Sequence, residues 1–219
     1  STEETRYYLN GIYLHAVIVD KKPMLRAVTT DGHRLAQAQV EAPAGAEKMA
    51  GVIVPRKAVG EIQKLVEGSD AAVDVELSDT KIRVTIGDVV LTSKLIDGTF
   101  PDYVRVIPQG NDKILKVDRG QFAEAVDRVS TISSERGRAV KLGLADGKMT
   151  LSVNNPDSGS AVEELGVDYG GDDIEIGFNS RYLLDVASQL ETENAEFRFA
   201  DPGSPTLILD VGTGDALYV

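Results

Sequence analysis

From Val52 to Ile96 the sequence runs through a pattern that returns twice further along the chain, and a repeated pattern restricts the fold more than any single motif does. VIVP (52–55) has the apolar run of a short buried strand. RKAVGEIQKLVEG follows, with Val59, Ile62 and Val66 at helical spacing, Pro55 at its start and Gly68 just past its end. VDVEL, KIRVTI and VVLTSKL then alternate as strands do, parted by the turn residues Ser78-Asp79 and Gly87-Asp88. The unit reads βαβββ. A second begins at Ile114: ILKV, a helix carrying Phe122, Val126 and Val129 on one face, then AVKLGL, KMTLSV and AVEELGV. A third begins at Ile174: IEIGF, a helix carrying Leu183, Val186 and Leu190, then AEFRF, TLILDV and ALYV. The starts are about 60 residues apart. The same interval before Val52 falls ahead of residue 1, and residues 6 to 40 offer only the three strands that would close an earlier copy: RYYLNGIYL, LRAVTT and LAQAQV. The chain is therefore expected to be the tail of a longer protein, beginning inside a domain.

Two copies per domain would pair two helices against antiparallel sheet. The expected fold class is α+β, with domains at residues 1–107 and 108–219 joined at the turn-rich IPQGNDK, and the first domain lacking its opening strand and helix. The βαβ rhythm of a parallel nucleotide-binding fold is absent.

Composition narrows the chemistry. A length of 219 residues suits one large or two ordinary domains. With 42% hydrophobic and 26% charged residues, no apolar run of membrane-spanning length and no signal-peptide pattern, the chain reads as soluble. It has no cysteine, which excludes disulfides and thiolate metal sites and suits a cytosolic protein. The net charge of −12 argues against a uniformly basic nucleic-acid binder, although an acidic total can hide a local basic surface.

One cluster invites a catalytic reading. TTDGHRL (29–35) holds one of two histidines beside an aspartate and an arginine. A hydrolase centred on His33 would need a nucleophile and an orienting carboxylate, and Asp31 stands only two residues away across Gly32. Zinc would need three or four ligands, which two histidines and no cysteine do not offer. The simpler reading is a turn after a strand, with Asp31-Gly32 supplying the turn chemistry. Neither GxxxxGK[ST] nor GxGxxG occurs, so nucleotide hydrolysis has no support.

RYYLNG (6–11), TTDGHRLA (29–36), VIVPRKAV (52–59), TSKLIDGTFPDYVRVIP (92–108), VNNPDSGSAVEE (153–164) and IGFNSRYLLDV (176–186) together resemble, in this order, the bacterial DNA polymerase sliding clamps, the β subunits of the replicative polymerase. The resemblance implies the DNA-clamp fold: paired βαβββ units with helices on one face of antiparallel sheets, and two three-domain subunits closing head to tail around duplex DNA. It covers a middle and a C-terminal domain. It implies a non-catalytic, bacterial, cytoplasmic and nucleoid-associated processivity factor with no cofactor and no metal. Its partners would be double-stranded DNA, a second clamp subunit, and polymerases, the clamp loader and repair proteins that carry short linear motifs.

Residue by residue, the resemblance makes Leu9, Thr30, Gly32, His33, Arg34, Leu35, Pro101, Arg105, Val106, Asn179, Tyr182 and Val219 the walls of a groove for those motifs, with an apolar basin of Leu9, Leu35, Pro101 and Val106. His33 would be a contact and not a catalyst. Gly137, Gly203 and Pro205 depart from the family's pattern on the second wall, and the sequence stops at Val219. Arg56 and Lys57 would face DNA from the start of a helix, with Arg119 and Arg128 adding to them, and an exposed member of the Tyr7-Tyr8 pair, alternating across a strand, would add a further contact. Thr131, Ile132, Glu163 and Glu164 would meet the first domain of the partner subunit; without that domain this chain alone is not expected to close a ring. Two other readings remain open: the hydrolase, and a peptide-binding scaffold without a DNA role.

Overall fold

Alternating apolar residues and well-placed turn residues generate most of the architecture. A computed structural model describes residues 4–134, 138–212 and 215–219. It divides into two compact units, Ser1–Asp102 and Tyr103–Val219.

In the first unit, strands β1 (Gly11–Val19), β2 (Lys22–Thr30) and β3 (Leu35–Glu41) form an antiparallel meander. Asp20 and Lys21 both take positive φ, 49° and 67°, which the two-residue hairpin between β1 and β2 demands if its twist is to match the strands. β4 (Val52–Pro55) joins the far edge of β1, with Gly11 opposite Pro55. Helix α1 (Arg56–Glu67) starts directly after Pro55, which ends β4 in extended backbone as the residue before the helix. A second sheet follows, β5 (Val73–Leu77), β6 (Lys81–Ile86) and β7 (Val89–Lys94), in that order.

The second unit carries two complete copies. β8 (Lys113–Asp118) leads into α2 (Arg119–Ser130), capped by Asp118, whose carboxylate accepts from Gln121 N at 2.7 Å. β9 (Ala139–Ala145), β10 (Lys148–Asn155), β11 (Gly159–Gly166) and the two-residue β12 (Asp168–Tyr169) come next. Then β13 (Ile174–Asn179), α3 (Ser180–Ala187), β14 (Asn194–Phe199), β15 (Leu207–Asp210) and β16 (Ala216–Tyr218) complete it. The copies exchange their first strands: β13 pairs with β9 to give the order β11-β10-β9-β13, and β8 pairs with β14 to give β12-β8-β14-β15-β16.

One face of each sheet is apolar. Val140, Leu142 and Leu144 of β9 and Met149, Leu151 and Val153 of β10 are buried, as are Ala195, Phe197 and Phe199 of β14. Phe122, Val126 and Val129 of α2 meet them as their spacing predicts, and the Phe122 ring stands edge-on to Phe197 at 5.1 Å. Leu183 and Leu190 are buried beside α3, and Val186 packs against the same core.

Three expectations need correction. RYYLNGIYL is not one strand: Tyr7–Leu9 form a 3₁₀ turn, and β1 begins at Gly11 and runs on to Val19. Tyr7 and Tyr8 therefore do not alternate across a strand. On α1 the stripe that meets the core is buried Ala58 with half-buried Val59, Ile62 and Leu65, while Val66 is 43% exposed. The stripe is set by Ile82, Val84 and Ile86 beneath it, which take Leu65 in place of its neighbour. β12 has only two residues, too few for any periodic signal.

The first unit has no counterpart of β8 and α2 among its described elements. β4 pairs with β1 as β13 pairs with β9, but β5, the equivalent of β14, pairs only with β6. Val73, Val75 and Leu77 stand opposite Ile86, Val84 and Ile82, so they share the face that α1 partly covers, yet they are 43%, 50% and 37% exposed.

Candidate functional site

The TTDGHRL segment folds as the β2–β3 turn, and its polar groups close on one another. Thr30 Oγ1 donates to Arg34 O at 2.7 Å and accepts from Gly32 N at 3.1 Å. Asp31 Oδ1 accepts from His33 N at 3.0 Å and Arg34 N at 3.1 Å, while Oδ2 takes Arg34 Nε at 3.1 Å. Burial disfavours the charged carboxylate of Asp31, but the His33 N–H, the Arg34 guanidinium and the Arg34 N–H outweigh it and hold the acid below its ordinary range. A carboxylate engaged by two backbone donors and a guanidinium locks the turn and leaves His33 exposed at its tip. The Asp31-Gly32 turn chemistry expected from the sequence is therefore the role these side chains play.

Glycine is required at position 32. Its φ is +89°, and a Cβ there would come within 2.5 Å of Arg6 Nη1. Arg6 precedes the 3₁₀ turn and donates through Nη2 to Asp31 O at 3.3 Å, tying that turn to the β2–β3 loop. Leu9 lies in the 3₁₀ turn and Leu35 opens β3; they are only 3% and 4% exposed, so they form a floor and not an open apolar basin. Pro101 is exposed and follows Phe100, which stacks on Tyr13 at 5.0 Å; Tyr13 in turn stacks on His15 at 4.5 Å. Sequence reading missed this ring column, although the alternation of Tyr13 and His15 along β1 was its available signal.

In the second unit Arg105 and Val106 belong to the 3₁₀ turn Tyr103–Val106, where buried Tyr103 is the anchor and Val106 is 51% exposed. Asn179 caps α3, its Oδ1 accepting from Arg181 N at 3.0 Å, and half-buried Tyr182 lies in the first turn of that helix. Val219 is half-buried just beyond β16. Gly203 N donates to Asp201 Oδ1 at 2.8 Å in a turn, and Pro205 O accepts from Asn111 Nδ2 at 2.9 Å. Gly137 lies outside the described residues.

The basic candidates separate into two kinds. Arg56 and Lys57 are exposed on the first turn of α1, with no ion-pair partner among the described residues. Arg128 is held inside its own unit: its guanidinium grips both carboxylate oxygens of Glu163 on β11 and also reaches Glu124 at 3.3 Å. That hydrogen bond keeps the Glu163 acid below its ordinary range. Arg119 is half-buried, with Nη1 3.5 Å from Ala187 O. Tyr7 is 53% exposed, and its ring meets Tyr8 edge-on at 5.9 Å, both tyrosines lying over Gly98.

On β11, Glu164 pairs with Lys148 at 3.4 Å, and the outer edge of the strand is unpaired among the described strands. Exposed Thr131 donates to Asp127 O at 3.2 Å, and half-buried Ile132 packs against the core of the second unit while its carbonyl accepts from Asn155 Nδ2 at 2.7 Å. Among the described residues no group of three or more His, Cys, Asp or Glu is placed to hold a metal ion, and no helix is long and apolar enough to cross a membrane.

Repeated βαβββ units that exchange their first strands define a clamp-type α+β protein. Residues 1–102 match the family described as DNA polymerase III beta subunit, central domain, and residues 104–219 match its C-terminal domain. The chain belongs to the DNA polymerase III beta-subunit family. It is 57% identical over 219 residues to the beta sliding clamp of Caulobacter vibrioides, covering 100% of this chain and 59% of that relative. A crystal structure of the sliding clamp (DNA polymerase III subunit beta) from Bartonella birtlesii bound to griselimycin is 60% identical, with a TM-score of 0.95 over 100% of this chain and 59% of that one. The DNA polymerase sliding clamp from Caulobacter crescentus is 55% identical, with a TM-score of 0.93 over 100% of this chain and 58% of that one. The chain thus spans about three fifths of the length of these relatives.

Proposed function

We propose that this chain forms the middle and C-terminal domains of a bacterial DNA sliding clamp, a non-catalytic processivity factor that encircles duplex DNA in the cytoplasm and docks polymerases, the clamp loader and repair proteins through short linear motifs. The observation that carries the reading is family membership along the whole chain, at 57% identity to a beta sliding clamp. In the first unit the solvent-facing apolar surface of β5 fits a middle domain whose opening strand and helix are supplied from outside residues 4–102.

The locked β2–β3 turn supports the peptide-binding reading of Thr30, Gly32, His33, Arg34 and Leu35. A wall that is already rigid when an extended peptide arrives avoids the cost of being ordered at binding. Exposed His33 and Pro101 supply the contacts, and buried Leu9 and Leu35 hold the floor beneath them. The commitment of Asp31 to the turn disfavours a hydrolase, since no orienting carboxylate is left for the imidazole in the local sequence.

The test is calorimetric titration with a peptide carrying a glutamine and hydrophobic residues. Pro101→Ala is expected to weaken binding by roughly 1–2 kcal/mol, as loss of a packed contact does, with His33→Ala in the same direction. Leu35→Ala is the poorer probe, because truncating so buried a residue would also unsettle the fold. Unchanged affinity in both exposed-site variants would remove the groove assignment.

A further inference from the structure

Pro101 is exposed on the irregular stretch that follows β7, and backbone hydrogen bonds do not fix it there. Leu95 N donates to Thr80 O at 2.8 Å and Ile96 N to Ile53 O at 2.9 Å, but the backbone of residues 97–101 makes no hydrogen bond among the described residues. Packing holds this stretch instead. Gly98 lies beneath the two tyrosines of the 3₁₀ turn, and a Cβ there would stand 3.1 Å from Tyr8 Cβ. Phe100, buried, lays its ring on Tyr13 with an interplanar angle of only 8°.

Tyr13 is well placed to transmit a fixed position. Its backbone is in the β1 ladder opposite Ile53, the residue whose carbonyl takes Ile96 N, so ring and stretch share one anchor on β4. Its ring also stacks on His15, and its hydroxyl end rests on Gly51, where any Cβ would overlap Tyr13 Oη. A tyrosine has two side-chain torsions, and contacts along its length and at its tip leave neither free. A wall set in this way is in place before a peptide arrives and need not be ordered at binding. Resting on the peptide-groove reading of Pro101, we propose that Tyr13 is a positioning residue for that groove: its ring sets Phe100, and through Phe100 the exposed proline that follows. It acts through the stack and not by touching the peptide.

Calorimetric titration of the full-length protein with the same glutamine-containing hydrophobic peptide tests this through a double-mutant cycle. Tyr13→Leu is expected to weaken the peptide about fivefold, and Tyr13→Phe should restore it, because the ring remains. In a Pro101→Ala background, Tyr13→Leu should cost nothing further, since the contact it positions is already gone; a residue that only supports the fold would lower affinity by the same factor in both backgrounds. Gly51→Ala pushes the ring without removing it and should also weaken the peptide, an effect that disappears with Tyr13→Leu, whose shorter side chain vacates the space. If Tyr13→Leu does not fold, Gly51→Ala measured with and without Pro101→Ala carries the same comparison. Unchanged affinity in the Tyr13→Leu or Gly51→Ala variant, or a loss that persists in full beside Pro101→Ala, overturns the proposal and leaves the groove intact. A Pro101→Ala variant that binds as tightly as the unsubstituted protein overturns the groove reading and this proposal together.

Discussion

Phe122→Ala should destabilise the second unit by about 3–5 kcal/mol, the usual cost of truncating a fully enclosed aromatic residue. Phe122 is 1% exposed and sits in the first turn of α2, where its ring meets Phe197 edge-on, and Phe197 stacks in turn on Phe199 at 6.1 Å. Removing it opens a cavity at the point where α2 bears on β14, the strand through which the two copies are joined by β8. Denaturant unfolding followed by signals of the second unit should move to a markedly lower midpoint, while signals of Ile82 and Val84 in the first unit stay near their original transition. A loss under about 1 kcal/mol would show that the helix pair does not depend on this contact.

A functional effect of similar weight is expected at Arg56 and Lys57. These exposed cations, without an ion-pair partner among the described residues, begin α1, whose apolar stripe faces its own sheet, so their charges are available to phosphates. Replacing both with alanine in the full-length protein should reduce the slope of log K against log salt by about 2, since each phosphate contact contributes roughly 0.9. Affinity should fall alike on unrelated sequences, because a protein that slides positions itself on the backbone and does not read base edges. Peptide affinity should remain unchanged. An unaltered slope in a folded variant would mean that these residues only solvate the helix.

The repeat makes the order of strands and helices legible, because apolar spacing reports which face of an element is covered. Phe122, Val126 and Val129 lie where their spacing predicts. Spacing does not report what covers that face, and so it puts Val66 on the stripe where Ile82, Val84 and Ile86 select Leu65. Tyr7–Leu9 reads as strand because three residues cannot distinguish a 3₁₀ turn from the strand that follows. The β2–β3 turn is legible because its chemistry is local: Thr30, Asp31, Gly32 and Arg34 satisfy one another within five residues. Contacts across the sequence are not. The Arg128–Glu163 pair joins a helix to a strand more than thirty positions away, and Arg138 meets the start of α3 across a similar distance. No local pattern carries either.

The most direct measurement of the clamp reading is retention on DNA of different topology. The full-length protein, loaded with its clamp loader onto a nicked circular plasmid, should stay bound through gel filtration and be lost when the plasmid is cut once, because a ring that encircles without gripping can slide off an end. Equal retention on circular and linear DNA, or none on either after productive loading, would contradict it.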